Sequence, residues 1–354
     1  MKNFDKDCLI VDLDNTITIH DIDNDYSQML CNSDIKKSLD NAKKQGYVID
    51  IFSSRNMRTY KGDEVKINKY TRPVAEKWLK KNNIVFDNLI LGKPWCGPDG
   101  WYIDDKNLSI EEFLIKFNGL YSKLKFSVVI PFFNEESNCI KVYEETKKIE
   151  RILNIDEYIF VNNGSTDNSL MELTNISKLD KKVKILNIET NIGYGNGMKR
   201  GIEFAKNDSI ITNHADLQFN PYSFFLSHSE LLMDANSTPK NIFPVRKNRS
   251  FINIFYTYIL RKVLAIVLFK KINEFNGQPK VLLNKRDYDF DNFSDNFSFD
   301  LNLWLETDKN MILDLPILER DRFSGESSWN NTLLNKLKVF FGYIKFAFLY
   351  RGKR

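Results

Sequence analysis

Residues 127–136 are Ser127-Val128-Val129-Ile130-Pro131-Phe132-Phe133-Asn134-Glu135-Glu136, an apolar run that gives way to a polar loop. This pattern predicts a buried strand of a parallel sheet with polar groups at its carboxyl end. A second such stretch, Cys8-Leu9-Ile10-Val11-Asp12-Leu13-Asp14-Asn15-Thr16, lies near the start of the chain. Because helical and apolar segments alternate after both stretches, the sequence predicts two α/β domains with doubly wound sheets, residues 1–122 and 123–354.

The predicted strands and helices alternate as this architecture requires. In the first domain the pattern predicts strands at Cys8–Val11, Tyr47–Phe52, Asn88–Leu91 and Trp101–Ile103, and helices at Ser33–Gln45, Thr71–Asn82 and Ile110–Leu124. In the second domain it predicts strands at Phe126–Ile130, Tyr158–Val161, Val183–Ile188 and Ser209–Thr212. Ligands bind such folds at the carboxyl ends of the strands, which is where the polar motifs occur.

Bulk composition narrows the function classes. The chain has 354 residues, is 42% hydrophobic and 28% charged, and carries a net charge of +4. A net charge this small argues against nucleic acid as a partner. The four cysteines show no metal-ligand spacing, and Met1–Asp5 contains no apolar signal segment. We therefore expect reduced thiols and a cytoplasmic location.

Two later segments, Phe251–Lys270 and Leu337–Arg354, combine many apolar residues with basic ones. Basic residues interrupt both, so neither is the uninterrupted apolar run of about 20 residues that a membrane span needs. Two interpretations remain open. The segments are either basic amphipathic helices on the inner face of the cytoplasmic membrane, or buried helices with solvated ends.

One group of polar residues has the composition of a phosphoryl-transfer site. Its members are Asp12, Asp14, Ser53, Lys93, Asp104 and Asp105, all near the ends of predicted strands. One of the first two carboxylates can attack phosphorus while the other handles protons. The last two carboxylates suit a hard cation such as Mg²⁺. The lysine can neutralise the transferring group, and the serine can donate a hydrogen bond to it.

These residues occur in Asp12-Leu13-Asp14-Asn15-Thr16, Ser53-Ser54-Arg55-Asn56-Met57, Gly92-Lys93-Pro94-Trp95 and Tyr102-Ile103-Asp104-Asp105-Lys106. The set resembles the haloacid dehalogenase (HAD) superfamily of phosphatases, which have Rossmann-like domains, and in particular its small capsule-biosynthesis phosphatases. The resemblance implies that Asp12 is the nucleophile and that Asp14 is general acid and then general base. It also implies Mg²⁺ held by Asp12, the backbone carbonyl of Asp14, and Asp104 or Asp105.

The spacing between these motifs predicts only a minimal cap over the first site. Asp14 and Ser53 are separated by enough chain for one helix and a loop. An uncapped site excludes less water, so its substrate is expected to be large or presented by a partner. Arg55 and Asn56 have two open interpretations: contact with the non-reacting part of the substrate, or capping of the helix that follows.

Polar residues also follow the strands of the second domain. Asn163 and Asp167 lie in a turn after the strand at Tyr158–Val161. His214, Asp216 and Gln218 follow the strand at Ser209–Thr212 and offer an imidazole, a carboxylate and an amide oxygen. Such groups are plausible ligands for Mg²⁺ or Mn²⁺ bridging two phosphates. A purely structural role for the imidazole remains the alternative.

These motifs, from residue 125 to about residue 330, resemble family 2 glycosyltransferases of the GT-A fold. That resemblance implies a metal site with Asp216 as main ligand and Gln218 assisting. The chain departs from the family pattern at two places. Where the family usually has Asp-Asp, this chain has Asn162-Asn163, and where the family has Asp-x-Asp, this chain has His214-Ala215-Asp216. Both changes remove negative charge, which bears on metal affinity and on the choice of nucleotide. The residues implied to line the pocket for base and ribose are Pro131, Asn134, Glu135, Asn163 and Asp167.

Later segments resemble the branch of polyprenyl-phosphate sugar transferases. They are Phe275–Lys280, Asn296–Asp300 and Arg320–Ser328. Asp300 is the candidate general base for the acceptor hydroxyl, with a helix N-cap carboxylate as the alternative. Arg322 is the candidate for a loop that closes over phosphates, and Arg246 is a second candidate. The resemblance to family 2 glycosyltransferases implies inversion by direct displacement.

The sequence as a whole predicts a bifunctional enzyme of capsule or surface-polysaccharide biosynthesis. Its phosphatase would act on a sugar or polyol phosphate. Its glycosyltransferase would move a sugar from a nucleotide-sugar donor to a glycan or polyprenyl-linked acceptor. The alternative is an active phosphatase joined to a catalytically inactive glycosyltransferase-like module that docks it.

Overall fold

A computed structural model of the chain describes residues 7–19, 28–97, 102, 104, 106–234, 237–322 and 333–352. It divides into two compact units, Met1–Ser122 and Lys123–Arg354. Each unit is built around a sheet of its own.

Unit 1 contains a three-stranded parallel sheet and a short antiparallel strand pair. Its strands are β1 (Cys8–Asp12), β2 (Thr18–Ile19), β3 (Leu30–Cys31), β4 (Val48–Ser53) and β5 (Asn88–Leu91). Its helices are α1 (Ser33–Lys44), α2 (Glu64–Lys66), α3 (Arg72–Lys81) and α4 (Ile110–Asn118), with wide π-type turns at Leu13–Ile17 and Ile67–Thr71. The sheet order is β1-β4-β5. The strand predicted at 101–103 falls largely outside the described residues.

The ends of the unit 1 helices follow local sequence signals. The side chain of Asn32 accepts hydrogen bonds from the first turn of α1, and Ser109 forms a reciprocal capping box with Glu112 at the start of α4. Helix α4 ends before Gly119, whereas the sequence prediction ran on to Leu124. The backbone leaves the helix at this glycine, and a Cβ built there would lie 2.2 Å from the carbonyl oxygen of Ile115.

The core of unit 1 fixes the strand ends that carry the polar motifs. Ile49 and Ile51 of β4 pack in one apolar cluster with Leu39, Trp78 and Phe113 from three helices. Full burial of such a side chain contributes roughly 1.5–3 kcal/mol. Strands β1 and β4 are held parallel as neighbours, so their carboxyl ends meet at one edge of the sheet.

Unit 2 contains a seven-stranded mixed sheet with the order β12-β10-β11-β9-β6-β7-β8. Its strands are β6 (Phe126–Phe132), β7 (Ile155–Asn163), β8 (Val183–Ile188), β9 (Ser209–Thr212), β10 (Asn241–Lys247), β11 (Lys280–Leu282) and β12 (Ile312–Leu318). Strand β11 is antiparallel to both β9 and β10. The sheet is therefore mixed, with β11 running against its two neighbours.

Eight α-helices are described in unit 2. They are α5 (Cys139–Lys147), α6 (Ser169–Leu179), α7 (Tyr194–Phe204), α8 (Pro221–Ser227), α9 (Ser229–Met233), α10 (Phe251–Leu268), α11 (Phe299–Glu306) and α12 (Leu333–Gly352). Short 3₁₀ turns occur at Lys148–Arg151, Lys285–Asp287, Phe290–Asn292 and Lys309–Met311. Helix α7 packs closely on the sheet at Gly201, where a Cβ would lie 2.5 Å from Val129 and 2.8 Å from Val161.

Candidate functional site

Unit 1 brings the predicted nucleophile and the predicted lysine together. Asp12 ends β1, and the Lys93 Nζ lies 3.0 Å from the Asp12 Oδ1. Lys93 follows β5, and its backbone N–H donates to the carbonyl of Ser53. Burial raises the pKa of Asp12 above its ordinary value, Lys93 opposes this, and the neighbouring Asp14 adds to it.

Asp14 is held by a buried arginine. The Arg55 Nη2 and Nε lie 2.5 Å and 3.1 Å from the Asp14 Oδ1, and the arginine side chain is fully buried. The Ser53 hydroxyl donates to the Asp14 Oδ2 at 3.3 Å. Arg55 is thus part of the carboxylate cluster, and its contact with the non-reacting part of a substrate stays a prediction. A bidentate contact of this kind fixes the orientation of a carboxylate.

The remaining predicted residues of unit 1 lie in local contacts or outside the described part. The Asn56 Nδ2 donates to the Thr71 hydroxyl at 2.9 Å, immediately before α3, which fits the helix-related interpretation. The Asp104 Oδ1 accepts a hydrogen bond from the backbone of Lys106 and is exposed. Asp105 lies outside the described residues.

In unit 2 the loops after β6 and β7 are tied together by the predicted pocket residues. Asn134 accepts a hydrogen bond from the backbone of Thr166 at 2.8 Å and donates its own N–H to Ser165. The Asp167 Oδ2 accepts from the backbone of Glu136 at 3.1 Å. Pro131 lies within β6, half-buried. These residues lie together at the carboxyl ends of two neighbouring strands, as expected for a ligand edge.

Asn163 contacts the glycine-rich segment Asn191–Gly197, which leads into α7. Its Oδ1 accepts from the backbone of Ile192 and its Nδ2 donates to the carbonyl of Gly193 at 3.1 Å. A Cβ at Gly195 would lie 2.3 Å from the carbonyl oxygen of Ser294, so only glycine allows this approach. The loop therefore closes against the chain ahead of α11, and Asn163 orients that loop.

The predicted metal ligands His214, Asp216 and Gln218 all follow β9 but differ in their hydrogen-bond partners. The Asp216 Oδ1 accepts a 3.2 Å hydrogen bond from the backbone of Gln218. The Gln218 side chain donates to the carbonyl of Arg320 at 3.4 Å. The His214 Nε2 lies 3.1 Å from the Tyr194 hydroxyl. Burial lowers the pKa of His214, so the imidazole is neutral at pH 7.

Asp300, the predicted base, lies in a buried polar network. The Lys280 Nζ is 2.8 Å from the Asp300 Oδ1, and the lysine side chain is fully buried. The Tyr194 hydroxyl donates to the Asp300 Oδ2 at 3.1 Å. Because the tyrosine proton goes to the carboxylate, the His214 Nε2 must carry the proton it donates to the tyrosine oxygen. His214 can therefore offer a metal only its Nδ1.

The two predicted phosphate-binding arginines are both paired with carboxylates. The Arg246 Nη2 lies 3.0 Å from Glu274, and its Nη1 lies 3.6 Å from Glu319. Arg322 forms an ion pair with Glu135, whose pKa burial raises while the arginine opposes that rise. Arg246 is therefore committed to a buried cluster. Arg322 spans from its own segment to the loop after β6, across the ligand edge.

Two residues of this site were missed by sequence reasoning, Tyr194 and Lys280. Lys280 begins the buried strand β11, and a lysine at the head of an apolar run was a usable signal that it has a buried partner. Tyr194 gave no such signal, because only the fold brings the start of α7 to Asp300.

The donor sets fit divalent cations to different degrees. Among the described residues, no three or more His, Cys, Asp or Glu side chains converge as a ready ligand set. Asp216 fits, since it is a carboxylate in the loop that follows strand β9. Asp12 also fits, because burial and the Asp14 charge disfavour its ionised form unless a cation compensates. His214 fits poorly, because its Nε2 is occupied.

Comparison with known proteins identifies the region around the unit 2 site. Residues 127–236 match the family model of Glycosyl transferase family 2. The chain is 32% identical over 99 residues to the uncharacterized glycosyltransferase YkcC of Bacillus subtilis, covering 28% of this chain and 31% of that protein. It is 38% identical over 101 residues to the undecaprenyl-phosphate 4-deoxy-4-formamido-L-arabinose transferase of Proteus mirabilis, covering 27% of this chain and 30% of that protein. The chain thus spans less than a third of the length of these curated relatives.

A solved structure shares the fold more broadly. The glucosyl-3-phosphoglycerate synthase of Mycobacterium tuberculosis, in complex with Mn²⁺, UDP and glucosyl-3-phosphoglycerate, superposes with a TM-score of 0.50 at 16% identity. The match covers 71% of this chain and 86% of that chain. The mixed α/β fold of this protein therefore has GT-A-like structural neighbours.

Proposed function

From the glycosyltransferase family 2 domain at residues 127–236, we propose that unit 2 transfers a sugar from a nucleotide-sugar to a polyprenyl-linked or other glycan acceptor. The name of the Proteus mirabilis relative supports an acceptor of the polyprenyl-phosphate type. The observation that carries the proposal is that Asp216, Glu135 and Arg322 lie at one ligand edge. Arg322 forms an ion pair with Glu135, and burial and the Asp216 charge both raise the pKa of Glu135. The resemblance of the unit 1 motifs to capsule-biosynthesis phosphatases leads us to propose a role in capsule or surface-polysaccharide synthesis.

The residues of unit 2 divide the work as follows. Asp216 would hold Mg²⁺ or Mn²⁺, with Gln218 assisting, and the cation would neutralise the departing nucleoside diphosphate. Arg322, on release from Glu135, can reach negative charge at the same edge. Asp300 accepts the proton of the attacking O–H, which belongs to a hydroxyl of a glycan acceptor or to the phosphate of a polyprenyl-phosphate acceptor. Lys280 and Tyr194 fix the direction of the Asp300 oxygens.

We propose further that unit 1 is a phosphatase for a sugar or polyol phosphate. As the HAD resemblance implies, Asp12 attacks phosphorus to form an aspartyl-phosphate while Asp14 protonates the departing sugar or polyol oxygen. Asp14 then takes a proton from the water that cleaves the aspartyl-phosphate, which releases inorganic phosphate and restores Asp12. The contacts that support this are Lys93 on the nucleophile and the bidentate Arg55 on the acid–base carboxylate. Mg²⁺ would be held by Asp12, the carbonyl of Asp14 and Asp104 or Asp105, and would screen the repulsion between carboxylate and phosphate.

One experiment tests both proposals on the full chain. Purified protein is incubated with Mg²⁺ or Mn²⁺ and a panel of nucleotide-sugars, with polyprenyl phosphate as acceptor, and nucleoside diphosphate release is measured. A parallel panel of sugar and polyol phosphates is assayed for inorganic phosphate. We expect diphosphate release to be lost in Asp216→Ala only, and phosphate release in Asp12→Asn only. Phosphate release that survives Asp12→Asn contradicts the phosphatase proposal.

A second candidate is that unit 2 binds without catalysing transfer. The observation that favours it is the buried ion pair between Lys280 and Asp300, because the lysine ammonium already occupies the Oδ1 of the proposed base. Under this candidate, no nucleotide-sugar yields diphosphate while unit 1 still releases phosphate. Release from one donor that disappears in Asp216→Ala excludes it.

A further inference from the structure

Helices α10 and α12 pack against one another and share one inner face. The rings of Tyr256 and Phe340 lie 5.9 Å apart, and the Tyr256 hydroxyl donates to the carbonyl of Lys336 at 3.0 Å. The inner residues, which include Leu264 of α10 and Ala347 of α12, are buried in the core of unit 2. The two helices therefore form one structural element rather than two loose segments.

The opposite face of this pair is apolar and exposed. Phe251, Phe255 and Ile266 of α10 are 80%, 55% and 71% exposed. Leu334, Phe341 and Phe348 of α12 are 77%, 61% and 58% exposed and recur every seven residues, so they line one stripe. By length and composition α10 could cross a membrane, and only 22% of it is buried. Exposed apolar surface of this extent marks an interaction site.

The charges on this face are all positive. Residues 251–271 and 333–354 contain no Asp or Glu. Lys262, Lys338 and Lys345 are exposed, and their spacing from Phe255, Phe341 and Phe348 places them on the same stripes. Long lysine side chains can lay their carbon stems on apolar surface and reach up to anionic headgroups. A second copy of the chain would instead bring like charges together.

We propose that the exposed face of α10 and α12 is a docking surface for an anionic phospholipid bilayer, with both helices lying in the plane of the headgroups. The helices lie on the bilayer and do not cross it, because the inner faces of both are committed to the protein core. The aromatic and aliphatic side chains enter the headgroup–acyl boundary, and the lysines contact lipid phosphates.

The docking surface is joined to the candidate base. Tyr343 of α12 donates to the carbonyl of Phe297 at 3.0 Å and to Asn276 at 3.2 Å. Phe297 lies three residues before Asp300. Bilayer docking thus places a lipid-linked acceptor on the side of unit 2 that carries Asp300. This last step rests on the proposed transferase function, whereas docking itself does not.

The test is vesicle sedimentation of the full-length chain. Vesicles of phosphatidylcholine alone are compared with vesicles containing phosphatidylglycerol. We expect the partition coefficient to rise with phosphatidylglycerol and to fall with added salt. Lys338→Glu with Lys345→Glu should reduce it at least tenfold, since each cation near the surface contributes roughly fivefold. The matched control is Lys178→Glu with Lys181→Glu, two exposed lysines elsewhere on unit 2.

Three outcomes would overturn the proposal. The first is equal partition to both vesicle types, or an unchanged partition in the Lys338/Lys345 variant. The second is protein that stays in the pellet after alkaline carbonate, which indicates a span. The third is a lipid-free dimer that Phe341→Ser with Phe348→Ser dissociates, which indicates a second copy. Thermal melting confirms that each variant folds, and sedimentation needs no enzymatic activity, so failure of the transferase proposal is detected separately.

Discussion

Replacing Lys280 by methionine removes the only buried cation that contacts Asp300 among the described residues. The lysine side chain is fully buried, the aspartate side chain is 6% exposed, and their charged atoms lie 2.8 Å apart. Burial already lowers the pKa of Lys280, and the Asp300 charge works against that fall. Methionine keeps the length and apolar contacts of the stem, so Lys280→Met removes charge with little change in packing.

The expected cost is large because one charge is left buried alone. Removing one partner of a buried ion pair costs about 3–5 kcal/mol. For a domain the size of unit 2, one kcal/mol corresponds to about 2–4 °C in Tm, so we expect a fall of roughly 6–20 °C. In the double variant Lys280→Met, Asp300→Asn no charge remains, and most of the loss should be recovered.

Scanning calorimetry of the full-length chain at pH 7 measures these shifts. The matched control is Lys182→Met, since Lys182 also forms an ion pair, with Glu150 at 3.2 Å, but is 44% exposed. A surface pair contributes about 0–1 kcal/mol, so this variant should melt close to the parent protein. The reasoning is refuted if Lys280→Met melts like the control, or if the double variant is no more stable than the single one.

Three further predictions concern unit 1 and the glycines. Burial raises the pKa of Asp12 above 3.8, so its contribution to stability is present below pH 3.8 and is lost as the pH rises through the folded pKa. The Tm of Asp12→Asn relative to the parent protein should therefore rise between pH 3.8 and the folded pKa of Asp12 and stay level at higher pH. A Tm difference that is constant from pH 3 to 8 would contradict this prediction. Arg55→Lys cannot hold Asp14 with two hydrogen bonds and should lower the kcat for phosphate release about 10²-fold with KM little changed, while the exposed Arg58→Lys serves as control. Gly201→Ala should lower the free energy of chemical unfolding by about 1–3 kcal/mol, because its Cβ would overlap Val129. Gly342→Ala, with open space around it in α12, should instead raise that free energy by about 0.5–1 kcal/mol. Equal effects of the two substitutions would show that packing around the new Cβ does not decide the stability change.

Local sequence carried much of the architecture. Strands β8 and β9 have the predicted bounds, because apolar runs between turn residues admit few other conformations. The polar motifs at 12–14 and 134–136 lie at strand ends for the same reason. The strands β10, β11 and β12 were not predicted, and β11 has only three residues. So short a segment carries no period, and its direction is set by the neighbours it pairs with.

The candidate sites show where such inference stops. The sequence identified Asp12, Asp14, Asp216 and Asp300 as candidate functional carboxylates, because each lies in a local motif at the end of a predicted strand or at the start of a helix. It could not tell that Arg55 lies on Asp14 or that Arg246 lies on Glu274. Each of these pairs joins residues that are 28 or more positions apart.

The sequence by itself determined the strands β1 and β4 to β9, the polar groups that follow them, and the positive charge of the two aromatic-rich helices. Only the tertiary structure decided which of those groups are available to a ligand and which are already paired. The reason is physical: backbone periodicity and turn chemistry act over a few residues, whereas a buried charge takes its partner from whatever the fold brings within hydrogen-bond distance. Lys280, Tyr194 and Asp300 meet for that reason alone.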